Sequence, residues 1–297
     1  RERSRRQSDF STLCRGRIVP QEIADKEAAA KFIEAVGQFE RIMNDSGFVT
    51  LTRLAASEIT GQDGKAGIIE KYFSLSQTDT TCLKDIGLYP EEMRVGDDIL
   101  CLHTLSDVED LPGKVGTDCR FEKLSTDRSD CRLSFAAPVG VLLSCNHVYN
   151  QFIFIDDHAE NLKNFEQTAR NMQSLSRYSR ANQVNKEWID EYLNEAHSKG
   201  LISVRCHCNV MAWSNDREEL KRIRNDVGSQ LALMECKPRH NTTDTPTLFW
   251  AGIPGNEADF PAEESFYTFL GQALCLFVEE RTTRVRFRRS ASKWWTG

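Results

Sequence analysis

The sequence lacks the features of a membrane-spanning or secreted chain. No apolar run reaches the roughly 18–20 residues that a transmembrane helix needs, and the longest candidates are the short stretches PVGVLLSC and QFIFI. The first residues, RERSRRQSDF, are not followed by the apolar stretch of a signal peptide. The chain has 297 residues, 40% hydrophobic and 28% charged, which is the composition of a soluble globular protein with a sizeable core.

The motifs of several common enzyme classes are also missing. GQDGKA and LPGKVG contain Gly-Lys, but neither has the Ser or Thr that follows the lysine in a Walker A loop. The sequence has no G-x-G-x-x-G, G-x-S-x-G or H-E-x-x-H motif. Its six histidines are scattered singly, and a lone histidine is more often structural or solvated than catalytic. We therefore predict no catalytic, cofactor-binding or metal-binding residues in this chain.

The ten cysteines include no C-x-x-C pair, which argues against a zinc ribbon or a thioredoxin-type motif. Without a secretory signal, free thiols are expected rather than disulfides. Cys101 and His103 would share one face of a strand, where they could provide two ligands. Their stretch, ILCLHTL, is otherwise apolar on both faces, so we interpret both residues as core positions.

The stretch SVRCHCNVMAW, residues 203–213, is the strongest candidate for a metal site or a nucleophile beside its base. Side chains alternate between the two faces of a strand. The even positions here are apolar or thiol, and the odd positions are mostly polar. The alternation therefore predicts that Cys206 and Cys208 face the core and that His207 faces the opposite way. One ion cannot bind all three side chains without breaking the strand.

Charge is distributed unevenly along the chain. The net charge is −6, which excludes a general polyanion binder. Residues 1–17 nevertheless contain six arginines, and residues 281–293 read RTTRVRFRRSASK without an acid. We interpret these ends as solvated tails, and nucleic-acid contact is the alternative.

Hydrophobic periodicity predicts helices alternating with strands, which is typical of an α+β (α/β-like) fold with helices packed on a mixed sheet. Helices are predicted over about 25–45, 66–75, 158–175 and 186–198, and from Asp216 onward. Strands are predicted at FVTLTRL, VGVLLSC, VYNQFIFI, the cysteine stretch and LALMEC, with a hairpin at Gly96-Asp97-Asp98. We divide the chain into a basic tail or loop (1–20), two α+β subdomains (21–120 and 121–280) and a basic linker (281–297).

Two polar segments remain to be interpreted. In IDDHAENL, Asp156 and Asp157 precede a predicted helix, so we favour helix capping over acid–base chemistry with His158. In WAGIPGNEADFP, two prolines and two glycines fix a tight, acidic loop. A plain surface turn is one interpretation of that loop. The functional alternative is a docking loop formed by Pro254, Gly255, Asn256, Glu257 and Asp259.

Four stretches together give the chain a resemblance to a known family: FSTLCRGRIVPQ, YFSLSQTDTTCLKDI, HVYNQFIFIDD and FWAGIPGNEADFPAEESFYTFLGQAL. They resemble the N-terminal region of TraG, the ATPase family of conjugative transposons, which is similar to the large ATPases of conjugative type IV secretion systems. The resemblance extends over essentially all 297 residues. In that family an N-terminal α/β region precedes a RecA-like motor domain. The chain begins with Arg1 and ends at SKWWTG, so we expect it to be the N-terminal piece of a longer ATPase.

The resemblance implies a role rather than a catalytic site. This region would not be an enzyme and would need no cofactor, whereas ATP and Mg would belong to the missing motor domain. Its expected partners are inner-membrane type IV secretion components and its own motor domain, and self-association is a further option. Its expected location is cytoplasmic, peripheral at the inner membrane. The alternative function is a nucleic-acid-binding module of the DNA-transfer apparatus that uses the basic ends.

Overall fold

The computed structural model describes most of the chain between residues 26 and 278, namely 26–47, 50–76, 78, 84–89, 92–123, 125–140, 142–176, 178–241 and 243–278. These residues form two compact units. The first contains the described residues of 1–85 and 247–260, and the second contains those of 86–246 and 261–297. The predicted tail 1–20 and linker 281–297 lie outside the described residues.

The subdomain boundary that the sequence predicts at 120/121 falls inside the second unit. Strand β4 (Asp118–Arg120) pairs with strand β5 (Arg132–Ser134) across that position, so the segment is one small hairpin. The chain instead divides near residue 85, and a later segment, 247–260, belongs to the first unit.

The first unit contains helices α1 (Lys26–Asp45), α2 (Ala56–Thr60) and α3 (Ile68–Ser74). The apolar side chains that recur along α1 are exposed, with Phe32 at 70% and Phe39 at 58%. The described part of the predicted strand FVTLTRL forms no strand. There the Leu51 backbone pairs with the Asn44 side chain, which takes the place of a strand partner.

The second unit contains a seven-stranded sheet with helices packed on it, which confirms the predicted α+β class. The strands follow the order β1-β2-β3-β7-β6, and β8 also pairs with β3 while β9 pairs with β7. They are β1 (Ile86–Leu88), β2 (Met93–Val95), β3 (Asp98–Leu105), β6 (His147–Phe154), β7 (Ser203–Ser214), β8 (Arg239–Asn241) and β9 (Phe266–Phe269). The predicted hairpin is formed by β2 and β3, with Gly96 in the turn at φ 62°.

All the strand pairings among the described residues are antiparallel, whereas the sequence predicted a mixed sheet. The connection between β6 and β7 explains the difference, because it contains two helices, α4 (His158–Leu175) and α5 (Arg180–Lys199). A single crossover helix would return the chain parallel to the strand it left. A pair of helices returns it to the end from which it departed, and β7 therefore runs antiparallel to β6.

The largest core lies where helix α6 (Arg217–Leu233) packs on β3 and β7. The apolar face of α6 is buried there, and Val227 is fully inaccessible. Buried residues from the sheet complete this core, among them Ile99, Cys101, Leu105, Val204, Cys206, Cys208, Val210 and Ala212. A second cluster joins the α4–α5 pair to β9 through Leu162, Ala169, Leu193, Ala196 and Phe269.

Two other predicted strands are wrong. In VGVLLSC, the described residues form no strand; a 3-10 helix, Ala137–Val139, ends at the first residue of this stretch, and Gly140 is its C-cap. In LALMEC, helix α6 continues to Leu233, and a turn at Glu235, φ 59°, ends the segment. Two further helices, α7 (Thr245–Ala251) and α8 (Leu270–Cys275), complete the described elements. None of the helices in the described ranges is both long and apolar enough to cross a membrane.

Candidate functional site

The predicted docking loop lies in the first unit, between two buried apolar residues. Ile253 and Phe260 are 8% and 9% exposed, whereas the side chains of Pro254, Glu257 and Asp259 between them are exposed. The buried residues hold both ends of the segment, so the loop between them projects a short polar surface.

Backbone hydrogen bonds fix the shape of this loop. The Asn256 N–H donates to the Ile253 carbonyl at 2.9 Å, and the Asp259 N–H donates to the Asn256 carbonyl at 3.1 Å. Gly255 has a φ of +93°, a conformation that favours glycine, while its missing side chain would meet no atom within 4 Å. The glycine is therefore required by backbone conformation and not by crowding.

Aromatic packing supports the loop from within the first unit. The Asn256 amide donates to the Trp250 carbonyl at 2.9 Å, and the Trp250 ring lies edge-on to Phe73 at 5.6 Å. The ring centroids of Tyr72 and Phe249 are 4.9 Å apart, and the Tyr72 hydroxyl donates a hydrogen bond to the Phe249 carbonyl at 2.8 Å. Burial raises the pKa of the Tyr72 phenol, so this hydroxyl stays protonated as a donor.

The exposed groups of the loop are mainly carboxylates. The Glu257 carboxylate accepts a hydrogen bond from the Gly255 N–H at 3.1 Å, which holds it close to the loop backbone. Asp259 is exposed beside it. The five residues of the loop include no nucleophile paired with a base. Their chemistry suits recognition of basic groups, since the carboxylates accept charge-assisted hydrogen bonds.

The cysteines of SVRCHCNVMAW are core residues, as the alternation predicts. Cys206 and Cys208 are completely buried on the α6 side of β7. His207 is on the opposite face, but it is also completely buried, whereas the sequence pattern suggested a polar face. One ring nitrogen of His207 lies 2.6 Å from the Glu264 carbonyl oxygen and the other lies 3.0 Å from the Asn209 amide nitrogen. Desolvation lowers the pKa of His207 to about 4, so the ring is neutral near pH 7.

The two aspartates of IDDHAENL have different partners. Asp157 is the N-cap of α4, and its carboxylate accepts from the Ala159 and Glu160 N–H groups at 2.9 and 3.2 Å. Asp156 instead pairs with Arg205 of β7 at 2.6 Å. His158 accepts from the Ser203 N–H at 3.0 Å. The three side chains therefore have separate structural contacts, and capping explains only one of the two carboxylates.

An aromatic and acidic groove on the second unit was not anticipated from the sequence. The groove has a volume of about 560 Å³ and is lined by Trp188, Tyr192, Tyr267 and Glu191, among others. Trp188 of α5 is 54% exposed. A helical spacing in the sequence indicates this surface, and its residues on α5 are Trp188, Glu191, Tyr192 and Glu195. This spacing places an aromatic and acidic stripe on one helix face.

No group of three or more His, Cys, Asp or Glu residues in the described ranges is arranged to hold a metal ion. No protein-family model matches the chain, and no match to it was found among curated proteins.

Proposed function

We propose that this chain is a non-catalytic assembly and coupling domain of a conjugation ATPase of the type IV secretion kind. In this role it seats the motor domain on inner-membrane secretion components during DNA transfer and transmits motor motion to them. The proposal starts from the dispersed resemblance to the TraG family, and the α+β fold agrees with the fold that the resemblance implies. ATP and Mg are then bound by the motor domain, outside this chain.

The observation that supports docking most directly is the acidic loop at 254–259. A rigid loop loses little conformational entropy when a partner binds, because its backbone is already ordered. Gly255, the buried residues Ile253 and Phe260 and the amide of Asn256 provide that order. Glu257 and Asp259 then present negative charge to the partner. A basic cytoplasmic segment of an inner-membrane component is the complementary surface.

The groove on the second unit supports the same interpretation. Exposed Trp and Tyr side chains are enriched at protein interfaces, where they provide much of the binding energy. Here they lie beside the carboxylates of Glu191 and Glu195. Each unit thus carries an acidic surface that suits a basic protein partner.

A cross-linking experiment tests the proposal. A photo-cross-linking amino acid is placed at Asp259 of the full-length parent in a donor cell that carries the conjugation machinery, and the captured proteins are identified by mass spectrometry. We expect inner-membrane secretion components. The double variant Glu257→Lys, Asp259→Lys should lose them, while Asp63→Lys, a change at another exposed turn of the same unit, should not.

The same experiment distinguishes the alternative function. Capture of DNA or of relaxosome proteins, with no membrane component, would favour the nucleic-acid-binding module. The basic segments on which that function depends lie outside the described residues, so their contribution is tested separately. Binding of single-stranded DNA that weakens steeply with added salt would support it.

A further inference from the structure

A second cavity of the second unit is lined by His240, whose ring packs against the buried ring of His103. His103 of β3 and His240 of β8 are register partners across two antiparallel strands. Their rings meet edge to face, with centroids 5.6 Å apart. His103 is only 5% exposed, and His240 is open to the cavity, which has a volume of about 420 Å³. This volume falls in the range of small-molecule sites.

Helix α6 forms one wall of this cavity. Arg217, Leu220 and Arg224 recur at intervals of three and four residues, so they line the cavity from one helix face. Arg217 pairs with Glu92 at 3.0 Å, and Glu92 also contacts Arg94. Arg224 makes no ion pair or hydrogen bond within the part of the chain that the structure describes. One exposed guanidinium is therefore available in the cavity that His240 also lines.

The buried histidine is also incompletely satisfied. His103 Nδ1 has no hydrogen-bond partner among the described residues. Buried polar atoms without a partner are rare in native proteins, and each one needs an explanation. The environment holds an excess of positive charge. Burial, together with the charges of His240 and Arg224, lowers the pKa of His103 to about 4.

We propose that this cavity is a binding site for an oxyanion of the phosphate class, which Arg224 and His240 recognise together. A guanidinium provides a fork of N–H donors that matches two phosphate oxygens. An imidazole N–H then provides a donor to a third oxygen. A bound anion offsets the surplus positive charge of the cluster.

A metal ion is a poorer match for the same residues. A cation would be repelled by the guanidinium of Arg224, and no group of three ligating side chains occurs in the described ranges. Cys101 also lines the cavity, but burial raises the pKa of its thiol to about 11, so it is not a thiolate ligand near neutral pH.

Calorimetric titration of the 297-residue chain with inorganic phosphate tests the site, at pH 6.5 in a buffer without phosphate. We expect saturable binding to one site. Arg224→Gln and His240→Gln should each weaken it at least tenfold. Arg222→Gln is the matched control, because it removes an exposed arginine from the same helix outside the cavity lining. It should leave the affinity unchanged, and the melting temperatures of all variants should confirm that they fold.

A second readout follows the histidine ring resonances by NMR. Phosphate should raise the pKa of His240, because an anion stabilises the charged imidazole. The other ionisable groups that line the cavity are Glu92, Arg217, Arg224 and Cys101, so their charges contribute to the starting value. Three results would overturn the proposal: no saturation, an equal loss in Arg222→Gln, or acetate binding as tightly as phosphate.

Discussion

Acid should destabilise the second unit through a single buried histidine, and the effect can be isolated by mutation. His207 has no accessible surface, and desolvation lowers its pKa from 6.5 to about 4. The folded protein therefore resists protonation at this site, while the unfolded chain accepts a proton near pH 6.5. Between those two values the unfolded state binds more protons, so stability falls as the pH falls from about 6.5 to about 4.

The structure sets the size of this effect. Each pKa unit corresponds to about 1.4 kcal/mol. The lowered pKa of His207 therefore reduces the free energy of unfolding by about 3 kcal/mol once the pH is below both pKa values. At pH 5 the unfolded histidine is nearly all protonated and the folded one is mostly neutral. By the same relation, the free energy of unfolding should be about 2 kcal/mol lower at pH 5 than at pH 7.5 from this group alone. Buried His103 has a similarly lowered pKa, so a variant is needed to separate the two contributions.

Urea unfolding of wild type and His207→Gln at both pH values measures the contribution of His207. The variant can be less stable at pH 7.5, because it loses the short contact with the Glu264 carbonyl. The decrease in the free energy of unfolding between pH 7.5 and pH 5 should be about 2 kcal/mol smaller in the variant than in wild type. His197→Gln, at an exposed position of α5, should retain the wild-type dependence. Equal slopes for wild type and His207→Gln would refute the assignment of a neutral, buried imidazole.

Three further predictions concern the core, the glycines and nucleotide binding. Cys206→Val and Cys208→Ala should each reduce stability by about 1 kcal/mol, as small core changes do. The metal content, measured by mass spectrometry, should be unchanged. Stoichiometric zinc in wild type would contradict the assignment of both cysteines to the core. Gly200→Ala should lower stability by about 1 kcal/mol, because Gly200 has a φ of +60°. Gly228→Ala, inside α6 with open space around it, should raise stability by up to about 1 kcal/mol, so opposite shifts in melting temperature are expected. Calorimetry with ATP should show no saturable binding to the chain, and a measurable site would contradict the proposed non-catalytic role.

Strand β7 shows what the alternation of side chains along a strand can and cannot predict. Alternation correctly placed Cys206 and Cys208 in the core, because the α6 side of the strand contains only apolar or thiol side chains. The same reasoning treated the other face as polar. The His207 and Asn209 side chains on that face are buried as well; they bond to each other, and His207 also contacts the Glu264 carbonyl oxygen. Hydrogen bonding lets polar residues occupy an interior face. The periodicity of the sequence does not reveal such hydrogen bonds, so it could not predict this burial.

Sites assembled from distant segments escaped prediction for a different reason. His103 and His240 are 137 positions apart, and only the antiparallel register of β3 and β8 brings them together. Arg224 joins them because α6 packs on the same face of the sheet. The docking loop, by contrast, is a local feature. Its glycine and prolines restrict the backbone locally, so the sequence alone predicts a tight turn there, and its docking role stays a prediction.

The charge distribution explains how one acidic chain can serve both proposed kinds of contact. A net charge of −6 attracts a basic partner over long distances and repels a free phosphate. At 0.1 M salt the Debye length is about 10 Å, so the long-range part of both effects is largely screened. Phosphate binding then depends on the short-range geometry of Arg224 and His240, which salt affects much less. Docking of a basic segment on Glu257 and Asp259 involves exposed charges and should weaken with salt. The two contacts are therefore separable by ionic strength, and a phosphate bound in the cavity need not compete with the partner on the loop.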